Sequence, residues 1–157
     1  MAKMKVIWNG KSIENQVEID AETVRDIRPA GLILSGGPDS IYADGAPVIS
    51  PFLLSLGVPI LGICYGMQAL ASALGGEIHP AQAGEYGPAL LDVSGPNPLL
   101  PAGSHQVWMS HGDKVLTPPP GFSVLARTPQ VDVAAMGHTS REIFGLQFHP
   151  EVSHTED

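Results

Sequence analysis

Thiols, basic side chains and long apolar runs are what this 157-residue chain has least of. Its single cysteine, Cys64, rules out an intramolecular disulfide framework and a cysteine-cluster metal site, so the setting of that one thiol becomes the main question. Eight Lys and Arg against sixteen Asp and Glu leave a formal charge of −8, a poor match for nucleic acid or an anionic membrane surface. No apolar stretch approaches the roughly 20 residues that cross a bilayer, and the opening MAKMKVIWNG lacks the apolar core of a signal peptide. The expectation is a soluble, cytoplasmic protein with neither nucleic acid nor membrane as partner. No repeat, low-complexity run or linker divides the sequence, so residues 1–157 read as a single domain.

Apolar side chains make up 43% of the chain, punctuated by 18 glycines and 15 prolines, which suits many short elements rather than a helical bundle. Residues 31–34 (GLIL) and 58–63 (VPILGI) are apolar runs bounded by glycine and proline, the pattern of strands buried on both faces of a parallel sheet. Between them residues 48–56 fit a short helix, and residues 67–74, rich in helix formers, fit another that stops at Gly75-Gly76. Further short strands are expected at 89–93, 107–109, 123–127, 131–136 and 143–148. A βαβ first half followed by a strand-rich second half predicts an α/β fold with a mixed sheet. At the start, residues 4–8, Asn9-Gly10 and residues 11–14 predict a strand, a type I′ turn and a second strand.

Cys64 lies where strand pattern gives way to helix pattern. In Gly62-Ile63-Cys64-Tyr65-Gly66 the glycines at −2 and +2 permit a sharp strand-to-helix turn, the logic of the nucleophile elbow of hydrolases. The side chain at the apex would stand at the N-terminus of the next helix, where the helix dipole favours thiolate over thiol. A small buried hydrophobe is the plainer role for a lone cysteine, and the glycine bracket argues against it.

A cysteine nucleophile needs a base, and the base a partner that orients it. Of six histidines only His149 has a carboxylate two residues on, in Phe148-His149-Pro150-Glu151. In extended chain, which Pro150 would favour, Glu151 can accept a hydrogen bond from one imidazole nitrogen while the other faces the thiol. A zinc site from His149, Glu151 and His154 is the weaker alternative, because the spacing is not a standard ligand pattern. The turn Ser35-Gly36-Gly37-Pro38-Asp39-Ser40 closes the first buried strand, and its adjacent glycines can aim backbone N–H groups at an oxyanion.

The strings LILSGGPDSIY (32–42), VPILGICYGMQALA (58–71), WMSHGDKV (108–115) and FGLQFHPEVSHT (144–155) resemble, in this order, the class I glutamine amidotransferase domain. Within that family the motifs around Cys64, His111 and His149 are most similar to the glutaminase part of GMP synthase. The resemblance implies a flavodoxin-like mixed sheet flanked by helices. It implies that Cys64 attacks the carboxamide of L-glutamine to give a γ-glutamyl thioester, that His149 moves the protons, and that Glu151 orients His149. The backbone N–H groups of Gly37 and Tyr65 would form the oxyanion hole, and Gln68, Ser110, His111 and Asp113 would hold substrate. Tyr86 stays open between a pocket role and packing, and Asp113-Lys114 between a site role and a solvated loop. The implied partner is an ATP-pyrophosphatase domain or subunit that converts XMP to GMP with ATP and magnesium, with no cofactor in the domain read here.

The N-terminal pattern departs from the family, whose first strand ends in an Asp-Phe-Gly-like turn, so the first βα unit is expected to be missing or replaced. The closing helix is expected to be absent as well, leaving exposed edges that favour dimerisation or dependence on a partner. Two other readings stay open: a non-catalytic glutaminase-like scaffold, and a γ-glutamyl hydrolase of the same fold.

Overall fold

The computed structural model describes residues 4–8, 11–15, 21–37 and 40–155. Nine strands and three helices occur among them: β1 (Met4–Trp8), β2 (Lys11–Asn15), α1 (Ala21–Ile27), β3 (Leu32–Leu34), α2 (Pro51–Leu54), β4 (Ile60–Ile63), α3 (Tyr65–Ala73), β5 (Glu77–Val93), β6 (Gly103–Thr117), β7 (Phe122–Arg127), β8 (Ala135–His138) and β9 (Ile143–Leu146). Seven strands form one sheet in the order β3-β4-β9-β8-β7-β5-β6. The first three are parallel and every later pairing is antiparallel, so the mixed α/β sheet expected from the sequence is present. The parallel strands are also the apolar runs, because Leu32, Leu34, Ile60 and Ile143 pack with Val24 of α1, Leu53 of α2 and Leu70 of α3 in one buried cluster. A second cluster, including Leu91, Met109, Leu146 and Phe148, fills the antiparallel half.

β1 and β2 form the expected antiparallel hairpin, with Trp8 opposite Lys11, and β1 lies beside β3. The Asn9-Gly10 turn itself, and Pro38-Asp39 of the glycine turn, fall outside the described residues. Three expectations need correction. The helix expected over 48–56 is a single turn, α2, started by Pro51 at its first position. Residues 131–133 turn instead of continuing a strand, because the Thr128 hydroxyl accepts the N–H groups of Gln130 and Val131. The short strands at 89–93 and 107–109 are the visible parts of a hairpin of 17 and 15 residues. Pro80 and Pro88 hid the length of β5. They are tolerated there because β5 meets β7 only at Asp92 and Val93, so most of its other edge needs no donor. α1 had no counterpart in the sequence reading.

The sheet sets the site by its register. Leu34, Gly62 and Gly145 stand side by side across β3, β4 and β9, so all three parallel strands end at one level. Their carboxyl ends lead directly into Gly36, Cys64 and His149, the place where open α/β sheets gather ligands.

Candidate active site

Cys64 is the residue at the elbow, and its backbone carries the strain: φ is 52° and ψ is −109°, a region few side-chain-bearing residues occupy. Its N–H is fixed by Leu146 O at 2.7 Å, and its carbonyl accepts the first helical bonds from Met67 and Gln68. The flanking glycines act differently from the expectation. Neither supplies a positive φ; both permit close approach. A Cβ on Gly66 would run into the Leu34 carbonyl, and one on Gly62 would lie 2.7 Å from Gly66 O. The first turn of α3 thus rests on β3 and β4 with no side chain between, which holds the cysteine at the strand tip.

Around the thiol lies a cavity of about 590 Å³ lined by Gly37, Ser40, Cys64, Gln68, Tyr86, Ser110, His111, Gly112, Asp113 and His149. Gly36 borders both Cys64 and the imidazole: a Cβ there would be 3.4 Å from Cys64 Cβ and 2.9 Å from His149 Cε1. His149 Nδ1 is 2.7 Å from Glu151 Oε1, which leaves Nε2 for the cavity side. The pair is made by a turn and not by the extended chain expected around Pro150. The Thr155 hydroxyl donates to His149 O at 2.7 Å and accepts Trp108 N–H at 3.0 Å, curling residues 150–155 back onto β6. That curl also carries His154 away, onto the Trp108 ring at 4.7 Å, so it does not join His149 and Glu151 as a zinc ligand.

The electrostatics overturn one expectation. Burial pushes the Cys64 thiol up from 9.0 to about 11, and the Glu151 charge adds to the rise; the Tyr65 N–H and the Gln147 side chain pull the other way. At 3% exposure, desolvation outweighs the end of a nine-residue helix. The resting group is therefore a thiol, donating to Ser110 O at 3.4 Å, and ionisation requires a base.

Ser110, His111 and Asp113 do not sit in a loop; they are wall positions along β6. Asp113, 7% exposed, is a hub. Its carboxylate accepts Ser40 Oγ at 2.5 Å and Ile41 N–H at 3.2 Å, and its carbonyl accepts Gln68 Nε2 at 2.6 Å and His111 Nδ1 at 3.0 Å. Burial lowers the pKa of His111, whose Nε2 faces Glu85 Oε2 at 3.5 Å. Tyr86 is 71% exposed and borders the cavity, so packing is not its role. Glu151 stands behind His149 with its side chain 55% exposed, outside the lining. Of the predicted residues, Cys64, Gly37, Gln68, Ser110, His111, Asp113 and His149 meet around one space; the Tyr65 side chain does not join them, its hydroxyl donating to Pro47 O. The sequence reading missed the contact of Ser40 with Asp113 and the buried side chain of Gln147. A glutamine continuing an apolar strand beside the candidate base was the available signal for the last.

The family model described as glutamine amidotransferase class-I matches residues 1–157. The chain belongs to the class I glutamine amidotransferases. This amidotransferase chain is 54% identical over 143 residues to the GMP synthase [glutamine-hydrolyzing] of Nitratidesulfovibrio vulgaris strain DP4, covering 88% of the chain and 28% of that relative. It is 48% identical over 141 residues to the GMP synthase [glutamine-hydrolyzing] of Staphylococcus aureus strain JH9, covering 88% and 27%. The chain thus spans little more than a quarter of the length of these curated relatives. Among solved structures, a Thermoplasma acidophilum protein assigned as one subunit of a GMP synthase superposes with a TM-score of 0.77 at 31% identity, covering 88% of this chain and 70% of the other. A glutamine amidotransferase from Thermotoga maritima shares the fold at a TM-score of 0.66 and 24% identity, covering 86% and 60%. No helix among the described residues is long and apolar enough to cross a membrane.

Proposed function

We propose that the chain hydrolyses L-glutamine to glutamate and ammonia through Cys64 and passes the ammonia to an ATP-pyrophosphatase partner that converts XMP to GMP. The observation that carries this reading is the thiol on a strained elbow with the His149–Glu151 pair across Gly36. Because the thiol is protonated at neutral pH, His149 Nε2 takes its proton as the sulfur attacks the carboxamide carbon. The N–H groups of Gly37 and Tyr65 hold the resulting oxyanion. Collapse breaks the C–N bond, with the proton on His149 going to the departing nitrogen, and leaves ammonia and a γ-glutamyl thioester. Water, deprotonated by His149, then attacks the thioester; glutamate leaves and the thiol regains its proton. Glu151 keeps the imidazole in the tautomer and orientation both steps need. Gln68, Ser110, His111 and Asp113 hold the substrate's amino-acid end.

The synthetase half of the reading rests on what the relatives are named, and ATP and magnesium belong to that partner in the cytoplasm. Ammonia release from glutamine, by this chain alone and with a separately expressed synthetase domain, tests both halves against Cys64→Ala as the blank. Release that vanishes in the variant supports the cysteine mechanism. Release that only the partner elicits supports coupling. A folded chain silent under both conditions would favour a scaffold, and γ-glutamyl peptides cleaved faster than glutamine would favour a hydrolase.

A further inference from the structure

Next to Gln68 of the cavity lining, at 3.3 Å, stands one fully buried side chain for which the mechanism above has no task. Gln147 is 0% exposed and lies between β9 and His149. Its backbone N–H is tied to Ala134 O at 2.9 Å, and its Nε2 has no hydrogen-bond partner among the described residues. A buried amide donor without a partner is costly, so a fold that keeps one needs it in another state of the site.

Which way this amide points follows from chemistry. The Asp113 carbonyl can only accept, so the Gln68 atom 2.6 Å from it must be the amide nitrogen. The same nitrogen lies 3.3 Å from Gln147, and the atom facing it there must be an acceptor, Oε1. Turning Gln147 over would set two NH2 groups against each other, and turning Gln68 as well would set two carbonyl oxygens together at Asp113. The relay Asp113 O, Gln68, Gln147 therefore leaves Nε2 free, the 2.7 Å bond from Cys64 N–H to Leu146 O sets Gln147 next to the cysteine in space, and a hydrogen bond from Gln147 to the sulfur favours the ionised form.

We propose that Gln147 is the side-chain donor that holds the Cys64 thiolate, idle while the sulfur is protonated and engaged when His149 removes the proton. The inference rests on Cys64 being the nucleophile. In the resting state the thiol donates to Ser110 O, a contact that turns repulsive once the sulfur is negative. The Gln147 amide and the Tyr65 N–H then replace it. The charges nearby do not serve instead: Glu151 opposes the thiolate, His149 must first accept the proton, and His111 and Asp113 face the cavity from β6.

The test is the rate of Cys64 alkylation by iodoacetamide in the full chain, read by mass spectrometry at intervals between pH 7 and 9, together with glutaminase kinetics. Gln147→Met keeps the shape and removes the donor. It should slow alkylation about tenfold at every pH in that range, since thiolate is the reactive form. It should also lower kcat for glutamine with KM little changed. A merely structural role would alter folding and leave the rate in place, and a folded variant alkylated at the wild-type rate overturns the proposal. Should Gln147→Met fail to fold, the wild-type chain still decides. The side-chain carbonyl carbon resonance of Gln147 should shift as Cys64 ionises and stay still in Cys64→Ala; a resonance that ignores the titration refutes the hydrogen bond. Complete alkylation of Cys64 that left ammonia release intact would instead overturn the nucleophile itself, an outcome separate from any change in alkylation rate.

Discussion

Replacing Gly36 by alanine adds one methyl group against both the base and the backbone-side carbon of the nucleophile. That methyl would lie 2.9 Å from His149 Cε1, against the roughly 3.5 to 4.0 Å of ordinary carbon contact, so the ring must retreat by about 0.6 to 1.1 Å. The imidazole has little freedom to do so cheaply. Its Nδ1 is held at 2.7 Å by Glu151, and its backbone is tied to Trp108 O and to Thr155. The methyl is also 3.4 Å from Cys64 Cβ, an ordinary contact, so the cysteine stays and the base moves. Misplacing a catalytic group by about 1 Å costs roughly 10²-fold, and at 1.36 kcal/mol per tenfold this is about 2.7 kcal/mol of activation free energy. Overpacking of this kind destabilises by about 1 to 3 kcal/mol, a cost that lowers Tm while the chain remains folded. Steady-state ammonia release and thermal melting on Gly36→Ala measure the two effects, and iodoacetamide labelling reports whether Cys64 is still reachable. A variant with wild-type kcat/KM would refute the reasoning, for then the position of the His149 ring does not depend on the space beside Gly36.

Glu151→Gln should lower kcat between about tenfold and the ~10⁴-fold seen when a triad carboxylate is replaced; because that side chain is 55% exposed, Tm should barely move, and a large drop in Tm would recast Glu151 as structural. Glu85→Gln should leave Tm unchanged or raised, because its amide can donate to His111 Nε2, which has no hydrogen-bond partner among the described residues; a clearly lowered Tm in thermal melts would mean the pair is held by charge. Folded Cys64 keeps its proton to about pH 11 while the unfolded thiol releases it near 9.0, so this group's contribution to stability is full below pH 9 and is lost as pH rises through 11. Denaturant unfolding should show wild type losing about 3 kcal/mol relative to Cys64→Ala across that window, and parallel curves would contradict it.

The parallel half of the fold was legible because burial on both faces writes itself as uninterrupted apolar runs, at Leu32–Leu34 and Ile60–Ile63. The long β5–β6 hairpin was not, since its outer reaches face solvent and are written in polar residues, glycine and proline. What supports those reaches is cross-strand pairing, such as Pro80 with Asp113 and Tyr86 with Ser110, and pairing between distant segments has no local signature. The same blindness left Asp113 open between a site role and a solvated loop, although its burial comes from Ser40 and Gln68, 73 and 45 positions away.

At the site, residue types were readable and the balance of forces was not. The glycine bracket did locate Cys64, yet its purpose is to let α3 rest on the Leu34 carbonyl, and the strain falls on the cysteine itself. An acidic thiol was the natural expectation at a helix start; burial, which no motif records, reverses it. That reversal has a consequence for how the site must work. With the thiol held up near 11, the thiolate cannot be a resting species. Everything that favours it has to be present in the wall beforehand and act only after His149 has taken the proton. Gln147, buried and without a partner until that moment, meets this requirement, and the relay through Gln68 to Asp113 explains why residues on three different elements are needed to aim one amide.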